Sequence, residues 1–333
     1  MGEDIELYHL ENPQGLELEL YNFGARMSSI RIPSTRSNFG LTDVLLGYQS
    51  INDFLQDYDH MNGLVGRVSN RISQSQFELN GTKFLLSQNE GENHLHGGFL
   101  GFDRKVWKFL RHSEEFDNVS LSLGLTSQDL EEGYPGCLEI EITFKLNRSN
   151  RLILEMKAIS NKDTILSMTN HNYWNFNGHG EHYPDVSNHI LRIPSLVVCE
   201  TGQNNLPTGQ LLRVDGTKLD FFDARRIGGE GIDLNYCFGN QSSLEIVAEV
   251  YSPATGLGVA ISSDLPGVQC YTGGSMSKKS SGKSGRTYGR GFGLCLEPQF
   301  YPDAINQPTF PSPILKAKEP YQKVIQMDFR NDY

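Results

Sequence analysis

Glu297 is the residue best placed to do chemistry: a lone carboxylate closing the apolar run Phe292-Gly293-Leu294-Cys295-Leu296, directly before Pro298. The run reads as a buried strand, and Pro298, which brings no N–H to a ladder, is expected to stop it. A carboxylate there either has a hydrogen-bonded partner or has its pKa raised by desolvation. The second condition makes a general base that works near neutral pH. Taken alone, the position fits a structural Glu capping the turn before Pro302 equally well. Distant histidines favour the chemical reading. His94 and His96 stand at i and i+2 in Asn93-His94-Leu95-His96-Gly97-Gly98, so on a strand both would face one side. His171 lies in Thr169-Asn170-His171-Asn172-Tyr173-Trp174-Asn175-Phe176. A metal site would need further ligands, and no Cys or acidic residue accompanies these histidines at ligand spacing. The expectation is therefore no metal, and acid/base catalysis, for which His is the commonest side chain. Asn93, Asn170, Asn172, Tyr173 and Trp174 add amide donors, a hydroxyl and flat apolar faces. That mixture suits a pyranose, whose edge carries hydroxyls and whose faces carry C–H groups.

The elements that must position these groups read as strands. Leu138, Ile140, Ile142, Phe144 and Leu146 alternate with Glu139, Glu141, Thr143 and Lys145, one face toward a core and the other toward water. Similar patterns run over Leu16 to Tyr21, Val119 to Leu125, Leu152 to Ile159, Leu244 to Tyr251 and Val324 to Phe329, punctuated by turn signals such as Asn80-Gly81 and Gly133-Tyr134-Pro135-Gly136. A helical turn is expected only in connections, for example near Ser50 to Leu55. Neither a repeat nor a linker divides the chain, so residues 1–333 are expected to form a single domain, an all-β, large antiparallel β-sandwich.

Composition sets the class of partner. With 29 basic against 40 acidic residues, a net charge of −11 disfavours nucleic acid, anionic membranes and polyanionic substrates. A neutral or cationic small molecule fits better. No long apolar stretch suggests a membrane span, and the acidic N-terminus lacks the apolar core of an export signal. The five cysteines are scattered, without the pairing of a zinc site or disulfide scaffold. Reduced, mostly buried thiols in the cytoplasm are the expectation. The basic Gly/Ser segment Gly273 to Arg290 contains Gly282-Lys283-Ser284, but a phosphate loop would need Gly where Ser277 stands and a helix where Gly285 to Gly289 stand. It reads as a flexible surface loop.

In order, Gly66 to Ile72, Asn93 to Gly98 followed by Gly101-Phe102-Asp103, Gly133 to Gly136, Asn170 to Asn175, Gly231 to Asp233, Pro266 to Gly273 and Leu296 to Gln307 resemble the successive motifs of the aldose 1-epimerases, or galactose mutarotases. Asn22 to Ala25 and Asp43 to Tyr48 extend the likeness toward the N-terminus. The resemblance implies a β-supersandwich, no cofactor, and interconversion of the α and β anomers of free aldoses such as glucose and galactose. Carried over by motif, Glu297 would be the general base at the C1 hydroxyl and His171 the acid at the ring oxygen, with His96 beside the same oxygens. Asn70, Arg71, Asp233 and Gln269 would hold sugar hydroxyls. The protein is expected to act as a monomer or homodimer. Departures from the pattern, Leu234 where the family usually has His after Asp233 and Trp174 and Phe176 where Phe and Leu are common, bear on which aldose is preferred. Three rival readings stand beside this one. A hexose 6-phosphate mutarotase would need a cationic pocket from Lys278, Lys279, Lys283 and Arg286. A glycoside hydrolase would pair Glu297 with Asp233 and leave the histidines unexplained. A non-catalytic carbohydrate-binding protein of the same fold would bind sugar without turnover.

Overall fold

Alternating sequences such as Leu138–Asn147 and Arg151–Ser160 form long strands because every second side chain is apolar and buried, while the intervening ones face outward. The computed structural model describes residues 4–34, 40–179, 185–229, 231–276 and 282–332. Three antiparallel sheets dominate. The largest, of nine strands, runs Lys108–Glu114, Asn118–Ser127, Leu138–Asn147, Arg151–Ser160, Pro320–Arg330, Gly258–Ser263, Glu245–Tyr251, Ile190–Arg192, Arg225–Arg226. The last long strand of the chain, Pro320–Arg330, thus lies in the middle of this sheet, between Arg151–Ser160 and Gly258–Ser263. A four-stranded meander is formed by Leu7–Glu11, Glu17–Tyr21, Arg26–Pro33 and Leu41–Asp43. A five-stranded sheet has the order Pro207–Arg213, Val197–Thr201, Asp233–Cys237, Gly267–Tyr271, Cys295–Gln299.

All three sheets contribute to one apolar core. Leu123, Phe144, Leu154 and Ile325 from the nine-stranded sheet, Leu18, Leu20 and Ile30 from the meander, and Tyr236, Val268 and Leu296 from the five-stranded sheet belong to a single cluster. Burying each such side chain contributes roughly 1.5–3 kcal/mol, which is what holds layer to layer. The only α-helix among the described residues is Ile51–Leu55, whose N-cap Ser50 accepts from the Asp53 amide.

Pro298 does not stop its ladder. The strand Cys295–Gln299 continues through it, with Pro298 opposite Val268 and Gln299 opposite Gly267. The strand is the edge of its sheet, where a missing N–H costs no inner hydrogen bond. The glycine-rich basic segment also differs from expectation. Lys278 and Lys279 lie outside the described residues, but Lys283 folds inward: its Nζ donates to Asp43 Oδ2 at 2.7 Å and to the Leu45 carbonyl at 2.9 Å. Burial lowers its pKa, and the Asp43 carboxylate opposes that shift. Its charge is therefore tied to the meander and is not offered to a ligand. All five cysteines are free thiols, four of them buried.

Candidate active site

The two short ladders next to the five-stranded sheet bring the sequence-distant groups together. Arg71 pairs with Leu95 and Ile72 with His94, which sets Asn70 and Arg71 beside His96. Thr169–Asn170 pairs with Leu64–Val65, which delivers His171. Immediately after the ladder, Gly97 adopts φ +88° and packs so tightly that a Cβ there would lie 1.8 Å from the Gly66 carbonyl oxygen. The chain turns away at that point because only glycine fits.

The sheet itself supplies the other side. Glu297 lies directly opposite Gln269, which in turn lies opposite Asn235, and cross-strand partners present their side chains to the same face. Glu297, His171 and His96, together with Asn70, Arg71, Asp233 and Gln269, all line one pocket. Its volume of about 160 Å³ is below the roughly 300–1,000 Å³ typical of sites for drug-sized ligands, leaving room for something the size of a single sugar ring.

Glu297 is 2% exposed, its Oε1 lies 3.6 Å from His171 Nε2, and its Oε2 has no hydrogen-bond partner among the described residues. Burial pushes its pKa well above the ordinary carboxylate range, and the nearby Asp233 charge adds to the shift. His171 moves the other way. Burial first, then the adjacent His60, pulls it down to about 3. Its ring stacks on Tyr173 with centroids 5.0 Å apart, which fixes its plane. His96 is likewise pushed well below its usual value by burial, with His60 and His171 adding to the effect. The Asn70 backbone N–H donates to His96 Nδ1 at 3.3 Å.

Arg71 donates twice to Glu90, Nε to Oε2 at 2.7 Å and Nη2 to Oε1 at 2.6 Å, so it enters the pocket as half of a fork-shaped ion pair. Gln269 Nε2 donates to Asp233 Oδ1 at 2.6 Å, while Gln269 Oε1 has no partner among the described residues. Burial raises the pKa of Asp233, with Arg71 and the Gln269 hydrogen bond opposing. The orphaned Gln269 Oε1 and Glu297 Oε2 are buried acceptors in a hydrogen-bonding cavity, an arrangement that suits a ligand bearing hydroxyl donors.

Several sequence expectations are corrected. His94 and His96 do not face one side: the strand ends at Leu95 and His96 takes φ +51°, turning into the pocket. His94 stays in the interior, its Nε2 2.7 Å from the Tyr134 hydroxyl and its Nδ1 2.8 Å from the Ser87 carbonyl. Of the amides and aromatics expected to greet a sugar, only Tyr173 lines the pocket. Asn170 donates to the Asn62 carbonyl, Asn93 accepts from the Gln74 amide, Asn172 donates to the Met27 sulfur, and Trp174 stacks on Phe176 in the core. Arg67 is structural, fully buried and bonded to the carbonyls of Ser127, Gln128, Pro135 and Gly136.

The fold also places an acidic residue and a cysteine beside a histidine, which sequence spacing did not suggest. His171, Cys295 and Glu297 offer ligand atoms within 4.8 Å of one another. The set fits a metal ion poorly. Cys295 Sγ approaches His171 Nδ1 at 3.5 Å whereas Glu297 approaches Nε2, so one imidazole would have to face two ways. Burial also pushes the Cys295 thiol well above its usual range, disfavouring the thiolate a metal requires.

Sequence reasoning missed His60, Glu90 and Tyr271, which also line the pocket. Tyr271 alternates with Gln269 on a strand already suspected, a signal that could have been used. His60 and Glu90 stand in polar connections with no periodicity to mark them.

The chain matches the family model described as aldose 1-epimerase over residues 6–328. It is 32% identical to the galactose mutarotase of Rattus norvegicus, covering 98% of this chain and 95% of the relative. It is 29% identical to the aldose 1-epimerase of Escherichia coli K12, covering 98% and 96%. Among solved structures, an aldose epimerase homologue from C. elegans superposes with a TM-score of 0.90 at 27% identity, over 99% of this chain and 100% of that one. The galactose 1-epimerase of Lactobacillus acidophilus, at 23% identity and TM-score 0.84 over 99% and 96%, shares the fold.

Proposed function

The chain belongs to the aldose 1-epimerase family, and we propose that its pocket interconverts the α and β anomers of free aldohexoses such as glucose and galactose through Glu297, His171 and His96. The observation that carries this reading is the Glu297–His171 pair, with its 3.6 Å approach and opposed environments, inside a pocket of sugar-ring size. In the ring-opening step the Glu297 carboxylate takes the proton of the C1 hydroxyl while His171 gives one to the ring oxygen. The C1–O5 bond breaks and the C1 carbonyl forms. C1 turns about the C1–C2 bond, and reclosure on the other face runs the same transfers backward.

The pair holds a single proton throughout. In the cyclic complex it is ionic, carboxylate and imidazolium; in the open-chain complex it is neutral, carboxylic acid and imidazole. Burial raises Glu297 and lowers His171, so the pocket favours the neutral pair, the state that accompanies the aldehyde. The two groups titrate as one unit. Each acid/base group typically supplies about 10² to 10⁴ in rate, and fixed positioning supplies the remainder.

Asn70, Arg71, Asp233 and Gln269 hold the hydroxyls away from C1. The charge of the pocket supports a neutral sugar over a hexose 6-phosphate. Among the described residues, its one arginine is already paired with Glu90, while Asp59, Asp233 and Glu297 add further carboxyl groups and Lys283 is tied to Asp43. No helix among the described residues is long and apolar enough to cross a membrane. The scattered cysteines, none spaced as a disulfide scaffold, support a reducing, cytoplasmic setting.

Polarimetry tests the reading. Freshly dissolved α-D-glucose and α-D-galactose should reach their usual final rotations faster with the protein than without it. No acceleration with either sugar removes the proposal and leaves the binding-protein reading.

A further inference from the structure

His60 enters the pocket on a loop outside every motif recognised in the sequence. Its Nδ1 lies 2.9 Å from Asp103 Oδ2, and Asp103 is wholly buried. Arg26 Nη2 stands 3.9 Å from that same carboxylate oxygen and Arg104 Nε 3.7 Å. Burial opposes ionisation of Asp103, but His60, Arg26 and Arg104 together hold its pKa below the ordinary carboxylate value. Asp103 is therefore an acceptor only, and the proton of the hydrogen bond sits on His60 Nδ1. The His60 Nε2 has no hydrogen-bond partner among the described residues, and the ring lines the pocket.

His96 has the opposite polarity. Its Nδ1 accepts from the Asn70 backbone, so its proton is on Nε2. The His60 and His96 rings are 4.7 Å apart, and His60 is 6.2 Å from His171. Two neighbouring imidazoles in one cavity are thus each held at Nδ1, which leaves both Nε2 atoms for a ligand. Given the roles proposed for His171 and His96, they stand at the ring oxygen of the bound sugar. That oxygen has two flanking carbons. C1 carries the hydroxyl handled by Glu297; C5 carries the exocyclic CH₂OH of an aldohexose.

We propose that His60, locked by Asp103, is a substrate-contacting specificity residue whose Nε2 hydrogen-bonds the C6 hydroxyl of a hexose. The inference rests on the mutarotase reading and deepens it by naming the hydroxyl that is recognised. A site built to hydrogen-bond a particular hydroxyl discriminates against the analogue that lacks it, because the partner group is then left unpaired in the complex. Aldohexoses are thereby favoured over 6-deoxyhexoses and aldopentoses.

The test compares galactose with 6-deoxygalactose in wild type, His60→Phe and His60→Gln. Wild type is expected to prefer galactose in kcat/KM. His60→Phe should lower the galactose to 6-deoxygalactose ratio about tenfold, mainly through KM, the change expected for one lost hydrogen bond. His60→Gln, which keeps an acceptor, should recover part of the ratio. Equal losses on both sugars, or no loss on either, overturn the proposal. Should wild type fail to accelerate mutarotation of any aldose, the broader reading falls first. Equilibrium binding of the two sugars to wild type and His60→Gln then decides the C6 contact separately, and an unchanged binding ratio overturns it.

Discussion

Replacing Glu297 by Gln separates the chemistry of this residue from its place in the fold. The substitution keeps size and shape at a side chain only 2% exposed, removes the basic oxygen, and leaves Gln269 and Asp233 in position. Loss of one general acid/base group typically costs about 10² to 10⁴ in rate. At about 1.36 kcal/mol per factor of ten, that raises the barrier by about 3 to 5.5 kcal/mol. Stability should move the other way. Burial lifts the carboxyl well above its ordinary value, so the folded protein binds this proton more tightly than the unfolded chain does. The stability contributed by the protonated carboxyl is fully present below the unfolded pKa and is lost as pH rises through the folded one. Gln cannot ionise and suffers no such loss. The Tm of Glu297→Gln should therefore equal or exceed that of wild type at neutral pH, with the difference widening from acidic to neutral pH. Polarimetry at saturating galactose gives kcat, and thermal melts between pH 4 and pH 8 give the stability profile. A kcat within about fivefold of wild type, below the range expected for a general base, would refute the assigned role. A large drop in Tm would show that the carboxylate is structural after all.

Further outcomes follow from the same geometry. His171→Asn should lower kcat about 10²- to 10⁴-fold with little change in sugar affinity, read by polarimetry and equilibrium binding. Asp233→Asn removes a charge that raises Glu297, so the acidic limb of the kcat/KM profile should move to lower pH, and KM should rise about tenfold as a hydroxyl contact weakens. Arg67→Met strands the carbonyls of Ser127, Gln128, Pro135 and Gly136, and should cost at least about 3 kcal/mol in urea unfolding. Gly97→Ala cannot seat its Cβ beside the Gly66 carbonyl and should lower the Tm as well as reduce turnover by displacing His96, read by thermal melts and polarimetry.

The architecture was legible wherever one face of a strand meets water. Leu138 to Leu146 alternates cleanly because its sheet is solvated on one side, and the strand Leu138–Asn147 follows the pattern. Glu297 was legible for the opposite reason: in a run buried on both faces a charge stands out, although a structural cap fits it equally well until the distant histidines are weighed. Pairings across long sequence distances were not legible. Nothing local marks Cys295 as the neighbour of His171, Asp103 as the partner of His60, or Asp43 as the acceptor for Lys283. Such contacts depend on sheet order, and hydrophobic periodicity carries no information about which strands become neighbours. The i, i+2 spacing of His94 and His96 misled because the backbone leaves the extended region at His96. Asn170, Asn172 and Trp174 misled because the residue types that suit a sugar also serve as interior supports.

Glu297, Gln269 and Asp233 hang from adjacent strands whose separation is set by backbone ladders, whereas Glu90, His60 and Ser275 reach the cavity from connections at its rim. Drift at the rim leaves the ladder spacing untouched, so descendants of such a protein can exchange one sugar for another by altering connections alone. A shift in the floor would require several strands to move together, and no single substitution achieves that. Diversification of taste without loss of chemistry is the evolutionary course this arrangement makes easy.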